Sequence, residues 1–163
     1  MDYLLIVLGI ILIPLIAQLY INSTYKKYLK IESESKLSGF EIARKILDKN
    51  NLNDIHIVEV KGNLTDHYDS SRNVIRLSKD IFDGTSLSSV SIAAHECGHA
   101  IQNKEGYIFM KIRSFLAPIV NVMNKVAYII LILGVILEYY GLIEIAIILM
   151  SSSVLFQLIT LPV

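Results

Sequence analysis

The apolar residues of this chain are concentrated at its two ends, in residues 1–21 and 115–163. Residues 3–21 form one apolar run that is interrupted only by Pro14 and Gln18, and a helix of that length crosses about 30 Å of hydrocarbon. The whole chain is 53% hydrophobic and 18% charged. This distribution predicts a membrane protein whose more polar middle segment forms a soluble domain.

We expect the N-terminal run to be an uncleaved membrane anchor over residues 1–21. A cleaved signal peptide is the alternative, but such a peptide carries positive charge before its apolar core and a site of small residues after it. Here the acidic residue Asp2 precedes the apolar run, and no such site follows it. The anchor is the first of three predicted transmembrane helices.

The last third of the chain predicts a membrane-spanning helical hairpin over residues 115–163. Its first helix contains Asn121, Asn124 and Lys125. Either this helix begins near Ile112 and packs its first turns against the soluble domain, or Lys125 extends its side chain to the membrane interface.

A short turn over residues 138–141 separates the two helices of this hairpin, and the second helix is predicted over residues 142–163. Glu144 lies near the start of that second helix. An interfacial carboxylate is the favoured interpretation of Glu144, and a proton-relay role is the alternative.

Basic residues predict the orientation of the chain in the membrane. All 15 Lys and Arg residues lie between Lys26 and Lys125. Because cytoplasmic segments carry the excess of Lys and Arg, residues 22–114 are predicted to lie in the cytoplasm. The chain would then start outside and return to the cytoplasmic side at Val163. The formal net charge of zero gives no reason to expect a nucleic-acid partner.

The middle segment contains an H-E-x-x-H motif formed by His95, Glu96 and His99. On a helix, positions i and i+4 share one face, so both imidazoles can bind a single Zn²⁺ ion. Glu96 could then act as general base on a zinc-bound water. Only about 0.5% of shuffled chains of this composition would contain the motif. The motif therefore predicts a zinc metallopeptidase.

The residues around the motif predict the helix that this chemistry needs, over residues 86–103. Turn-forming and capping residues precede it at 83–86. Its predicted apolar stripe consists of Leu87, Val90, Ala94, Cys97 and Ile101. Cys97 lies on this stripe, away from the histidines, so we interpret it as a buried structural thiol rather than a nucleophile or metal ligand.

The rest of the 22–114 segment predicts a small α+β domain. The capping box from Ser38 to Glu41 opens a helix that ends at the Asn50-Asn51 pair. Alternating or continuous apolar residues predict strands over 55–60 and 74–77, with turn residues at 66–73 between them. With three transmembrane helices, the fold is α+β and α-dominated overall. An edge strand beside the metal could hold an extended peptide by main-chain pairing.

Two further histidines lie in this domain. His56 alternates with apolar residues in the first strand and is expected to face solvent. His67 has two interpretations: a cleft residue that donates a hydrogen bond to the oxyanion, or a turn residue that pairs with Asp66 or Asp69.

Four segments carry a family resemblance: residues 64–69, the strand 74–78, the motif with its flanks at 93–102, and residues 155–163. Together they resemble the YugP-like bacterial membrane zinc metallopeptidases, over nearly the whole chain. The resemblance implies a zincin-like, gluzincin-type peptidase of the bacterial cell membrane, related in layout to HtpX-like enzymes. It also implies that His95 and His99 are zinc ligands and that Glu96 is the catalytic base.

The third zinc ligand is expected beyond Val163. A catalytic zinc takes three protein ligands plus water. In the family that the chain resembles, a Glu-containing helix follows the Leu-Pro-Val segment and looks like the source of this ligand. Glu105, six residues after His99, is the alternative, although Gln102 stands where the corresponding metzincin pattern needs Gly. Glu138 and Glu144 are expected across the bilayer, roughly 30 Å away.

The predicted function is that of a membrane-embedded zinc metalloendopeptidase acting on peptides or membrane-associated proteins at the lipid bilayer. One alternative places the motif helix inside the membrane, but residues 86–91 and 102–105 are too polar to span it. The other alternative is a non-catalytic membrane scaffold with a structural zinc site. Such a site is normally closed by four protein ligands, which is harder to build with a single Cys.

Overall fold

The computed structural model describes the backbone of residues 2–161, and their side chains except those of Asp2, Tyr3, Leu4, Ile6, Val7 and Ile10. The helices of this part are α1 (Asp2–Tyr28), α2 (Gly39–Lys49), α3 (Lys79–Phe82), α4 (Leu87–Lys104), α5 (Ile108–Ile136) and α6 (Tyr140–Ile159). The strands are β1 (His56–Val60), β2 (His67–Asp69) and β3 (Val74–Ser78). The predicted α-dominated α+β class is confirmed.

The chain divides into two compact units, residues 1–98 and 99–163. The first unit contains α1, α2, the sheet, α3 and most of α4. The second unit contains the end of α4 together with α5 and α6. The division predicted from the sequence, into an anchor, a soluble domain and a hairpin, stays a prediction.

The three strands form one sheet in the order β1-β3-β2. β3 pairs in parallel with β1 and antiparallel with β2. The central position suits β3, because Ile75 and Leu77 are fully buried on one face of the strand, and Val74 and Ser78 on the other face are also buried. The two predicted strands are confirmed as β1 and β3.

β2 was not predicted, because its residues fall inside the segment that the sequence assigned to a turn. The true turn is shorter and follows β2, with Asn73 in the left-handed region at φ 50°. Asp69 holds this turn by accepting hydrogen bonds from Ser71 Oγ at 2.6 Å and from Arg72 N at 3.2 Å. The bond from Ser71 is the main cause that lowers the pKa of Asp69, and Arg72 adds to it.

The helix predicted from the capping box is confirmed as α2. Ser38 Oγ accepts a hydrogen bond from Glu41 N at 3.2 Å, and Ser38 N donates to Glu41 Oε2 at 2.7 Å. Asn51, at φ 55°, directs the chain away after the helix end. Ala43 and Leu47 are fully buried and give α2 its packed face.

The end of α1 is tied to the start of α4 by hydrogen bonds. Ser88 Oγ donates to the carbonyl of Tyr25 at 3.1 Å. The segment after α1 continues this contact, since Leu87 N donates to Ile31 O at 2.8 Å and Ser33 N donates to Thr85 O at 2.9 Å. These bonds fix the beginning of α4 against the N-terminal part of the first unit.

The predicted extent of the motif helix is confirmed, but its predicted apolar stripe is not the buried face: Cys97 is buried, and Val90, Ala94 and Ile101 are only half-buried. Leu87 is 36% exposed, whereas the buried residues of α4 are Ser88, Ser89, Ala93, Glu96, Cys97 and Ala100. The buried face is therefore rotated by roughly 100° about the helix axis, toward Glu96. Because the side chains on this buried face are small, α4 can pack closely against its neighbours. Ser89 Oγ, for example, donates a hydrogen bond to Asp80 O at 3.0 Å.

Two helices in the described range 2–161 are long and apolar enough to cross a membrane, α5 and α6. Three such helices were predicted. Residues 2–28 do form one helix, α1, with an internal Pro14, but several side chains of the predicted anchor lie outside the described residues, so that span stays a prediction. Pro162 and Val163, the end of the predicted third span, also lie outside them.

The ends of the hairpin helices differ from the predicted ones. α5 begins at Ile108, earlier than the Ile112 alternative, and α6 begins at Tyr140, inside the predicted turn. Glu138 forms the tip of the hairpin with φ 50°. A Cβ atom at Gly134 would lie 2.9 Å from Cγ1 of Ile143, so glycine lets the two helices approach closely near their connection.

Candidate metal centre

The motif residues lie on one continuous helix, α4. With about 100° of rotation per residue, His99 lies about 40° around the axis from His95, and Glu96 lies about 100° from it. His95 is exposed and His99 is half-buried. The two imidazoles therefore share a face one turn apart, as the i, i+4 arrangement of zinc ligands requires.

Glu96 occupies the border between the histidine face and the buried face of α4. Its side chain is only 7% exposed, in contrast to the exposed His95 beside it. A carboxylate at this border is shielded from bulk water, and its angular position about the helix axis is within about 100° of both imidazoles. That position suits a general base, since a low local dielectric strengthens its interaction with nearby positive charge.

Gln102 is a site residue that sequence reasoning missed. Nδ1 of His99 lies 3.2 Å from Oε1 of Gln102. With the proton on Nδ1, the ring donates this hydrogen bond, and Nε2 then carries the lone pair that a metal needs. Metal-binding histidines commonly have such a partner, which fixes the tautomer and the ring orientation. The i, i+3 spacing on a helix was the signal that could have found it.

The residues present fit a zinc site in part, because His95 and His99 share one face of α4 but no third ligand is arranged beside them among the described residues. In the described range 2–161, no group of three or more His, Cys, Asp and Glu side chains is placed to hold a metal ion. Glu105 follows the end of α4, where the chain turns at Gly106 with φ 70°. The structure therefore does not bring Glu105 together with both histidines as a ligand set.

Cys97 is a buried thiol, as predicted. It has no exposed surface, and its Sγ atom lies 3.6 Å from the carbonyl oxygen of Ala43. Burial raises the pKa of Cys97 to about 12, and the negative charge of Glu96 acts in the same direction. The thiolate form, which is the nucleophile and the metal ligand, is therefore suppressed.

His67 lies at the start of the edge strand β2 and is exposed. Its Nδ1 lies 2.8 Å from the carbonyl oxygen of Thr65. The contact of Nδ1 is thus with Thr65 and not with Asp66 or Asp69, the partners that one of the two interpretations gave it, while Asp66 accepts hydrogen bonds from Ser78 N at 2.6 Å and from Ser78 Oγ at 3.0 Å. His56 is exposed on β1, as predicted.

A cavity of about 530 Å³ lies beside the first half of α4. It is lined by Tyr20, Ile21, Thr24, Tyr25, Tyr28, Leu64, Leu87, Ser88, Ser91 and Ile92. Ser91 and Ile92 stand about one helical turn before His95. This cavity could not be predicted from the sequence, because its walls come from three separate parts of the chain.

Residues 3–163 match the model of a family described as "Putative neutral zinc metallopeptidase". The chain belongs to this zinc metallopeptidase family. The predicted resemblance to YugP-like proteins is confirmed, since the chain is 46% identical over 147 residues to "Putative membrane protease YugP" of Bacillus subtilis (strain 168). No solved structure matches the chain.

The alignment with this relative covers 90% of the chain and 65% of the relative. This member of the zinc metallopeptidase family thus spans less than two thirds of the length of its curated relative. The family match extends from residue 3 to residue 163 and therefore includes α4 and the motif.

Proposed function

We propose that this protein is a membrane-embedded zinc metalloendopeptidase in which His95 and His99 bind the metal and Glu96 is the catalytic base. The observation that carries the proposal is the position of these three residues on α4, in a chain of the zinc metallopeptidase family. The burial of Glu96 beside two accessible imidazoles supports its role as a base rather than a ligand.

The chemistry of the proposed site depends on proton movement by Glu96. A zinc ion held by His95, His99 and a third ligand would polarise the scissile carbonyl group and lower the pKa of the attacking water. Glu96 takes a proton from this water as it attacks and passes that proton to the leaving amine. His67 is proposed to donate a hydrogen bond to the oxyanion from the edge strand β2.

The third ligand is proposed to lie beyond Val163. Two observations support this proposal: the described residues contain no arranged set of three ligands, and the curated relative is longer than this chain. Glu105 remains the alternative to be tested, since it stands close to the motif in sequence.

The proposed setting is the bacterial cell membrane, with three spans and residues 22–114 in the cytoplasm. The apolar helices α5 and α6, the printed name of the relative and the confinement of Lys and Arg to residues 26–125 support this proposal. Substrates would then be peptides or membrane-associated proteins that reach α4 at the bilayer surface.

The test measures zinc content and peptide cleavage on the full-length protein in detergent. Glu96→Gln should retain about one zinc per chain and lose cleavage by at least about 100-fold, because only the base is removed. His95→Ala should lose both zinc and cleavage. His56→Ala, which removes an exposed histidine on β1, is the matched control and should change neither.

Glu105→Gln separates the two candidates for the third ligand. Unchanged zinc content and cleavage would exclude Glu105, whereas loss of both would place the third ligand inside this sequence. Tight zinc with no cleavage in the unmodified protein would favour a structural zinc site in a non-catalytic scaffold. Full activity of Glu96→Gln would overturn the proposed mechanism.

A further inference from the structure

The cavity beside α4, defined above by its ten lining residues, contains no charged side chain in its walls. Its lining consists of aliphatic, aromatic and hydroxyl-bearing residues. A second cavity of about 500 Å³ in the same unit is different, since Lys30, Glu32, Lys79, Asp80 and Asp83 are among its lining residues. The cavity beside α4 therefore suits an apolar group, whereas the second does not.

This cavity lies along the part of α4 that precedes the motif, from Leu87 to Ile92. Ser88 and Ile92 lie about 20° and 60° around the helix axis from His95, within the arc that Glu96 and His95 define. One turn of helix, about 5.4 Å, separates Ile92 and Ser91 from the motif residues. A peptide bond placed at His95 and Glu96 would thus have a neighbouring side chain within reach of the cavity.

Hydrogen bonds connect the parts of the chain that form the walls of the cavity. Ser88 Oγ donates to Tyr25 O at 3.1 Å, which ties the α1 wall to the α4 wall. Leu87 N donates to Ile31 O at 2.8 Å and closes the same junction from the side of the following segment. The third wall is Leu64, which stands three residues before the edge strand β2.

We propose that this cavity binds an apolar side chain of the peptide substrate, next to the scissile bond. The inference rests on the proposed function and extends it by naming the substrate class: peptides with a large apolar residue, such as Leu or Phe, adjacent to the cleaved bond. The helix that supplies half of the walls, α1, is thereby part of the substrate site and not only an anchor.

Position decides between a peptide side chain and a lipid acyl chain, the other apolar group available near a membrane. The α4 residues that line the cavity lie on the same side of the helix as His95 and about one turn before it. Leu64 precedes β2, an edge strand that can pair with an extended peptide. An acyl chain would need neither feature. We therefore assign the cavity to a peptide, and lipid occupancy is an outcome that the experiments must be able to reveal.

The first experiment compares quenched fluorescent peptides that differ at one position next to the cleaved bond. The full-length protein should cleave the Leu peptide about 30-fold better in kcat/KM than the Ala peptide, and the Asp peptide worse still. Thr24→Trp, which fills the cavity from α1, should reduce the Leu-to-Ala ratio to about threefold or less. Ser23→Trp places the same bulk on an exposed neighbour that does not line the cavity and should leave the ratio unchanged.

Leu64→Asp is a second variant for the same ratio, chosen because Leu64 is 38% exposed in a loop and its replacement leaves the core intact. This variant should also lower the Leu-to-Ala ratio, since a charge enters the apolar wall. A ratio that stays near 30 in both Thr24→Trp and Leu64→Asp would overturn the inference while leaving the proposed function standing.

The second experiment needs no cleavage, so it also applies if the proposed function fails. A peptide with photo-activatable leucine and a lipid with a photo-activatable acyl chain are each added to the Glu96→Gln protein, and cross-linked residues are mapped by mass spectrometry. Peptide cross-links to Ile21, Tyr28 or Leu64 that excess Leu peptide removes would support the inference. Lipid cross-links there without peptide cross-links, or no cross-links to these residues, would overturn it.

Discussion

Two glycines of the first unit show how differently the same residue type can be used. A Cβ atom at Gly39 would collide with the backbone carbonyl of Ile81, so the close approach of α2 and α3 depends on this glycine. A Cβ atom at Gly98, inside the motif, would meet no atom within 4 Å. Gly98 is therefore not explained by packing within the described structure, and it leaves the helix surface beside His99 open.

Gly98→Ala should raise the free energy of unfolding by about 0.5–1 kcal/mol, because alanine in a helix interior is favoured over glycine and the added methyl group has space. Gly39→Ala is the contrasting variant and should lower the free energy of unfolding, because the backbone at Ile81 would have to move to make room for the methyl group. Denaturant titration in detergent would compare the two. Equal effects of both substitutions would contradict the packing described here.

Tyr25 carries a buried hydroxyl group that has no hydrogen-bond partner among the described residues. Burial raises the pKa of Tyr25 above its usual 10.0, and the charges of Asp80 and Asp66 add to the effect. The nearby Ser78 hydroxyl, which itself donates to Asp66, opposes it. The folded state thus holds the tyrosine proton more firmly than the unfolded chain does. This contribution to stability is complete below pH 10 and is lost as the pH rises through the folded pKa.

Tyr25→Phe should leave the free energy of unfolding at pH 7 unchanged or raise it by up to about 1 kcal/mol, because an unpaired buried hydroxyl is removed. Above pH 10 the unmodified protein should lose stability faster than the variant. Thermal unfolding of both proteins at pH 7, 9 and 10.5 would measure this difference. A clear loss of stability at pH 7 in Tyr25→Phe would mean that the hydroxyl has a partner after all.

At the scale of elements, local signals were predictable from the sequence and long-range ones were not. The start of α2 was predicted because the capping box involves only Ser38 and Glu41, three residues apart. β2 was missed because its three residues become a strand only by pairing with β3. The packed face of α4 was misplaced because small and polar residues, including Ser89, carry that face through contacts with distant parts of the chain.

Ser38→Ala should lower the free energy of unfolding by about 1 kcal/mol, since the Glu41 amide loses its cap. In Glu41→Gln the side chain at position 41 can still accept a hydrogen bond from Ser38 N. This variant should therefore lower the free energy of unfolding by less than Ser38→Ala does. Equilibrium denaturation of the two variants would rank them. If Glu41→Gln proved the more damaging change, the charge of Glu41 at the helix start would matter more than the Ser38 cap.

At the scale of the whole molecule, the sequence predicted the membrane association and the hairpin more securely than the orientation. α5 and α6 are both long and apolar enough to cross a membrane, so both could be recognised from the sequence. Orientation depends on how the charges lie relative to a bilayer, and the place of the third zinc ligand beyond Val163 stays a proposal. Neither can be derived from the residues that form the two units.

Membrane-impermeant maleimide labelling would test the orientation, because Cys97 is fully buried and should not react in the folded protein. Tyr139→Cys, at the hairpin connection, should be labelled on intact cells. Glu34→Cys, between α1 and α2, should be labelled only after the membrane is opened. The reverse pattern would place the motif outside the cell, and labelling of the unmodified protein would contradict the burial of Cys97.

The strand order also has a consequence for how the protein is made. β3 is synthesised last of the three strands, yet it lies between the other two. During translation, β1 and β2 therefore remain unpaired edges until Val74–Ser78 has left the ribosome. A chain interrupted before that point would expose both strands to aggregation or degradation. The motif helix α4 is synthesised only after the sheet is complete, with α3 and a short turn between β3 and α4.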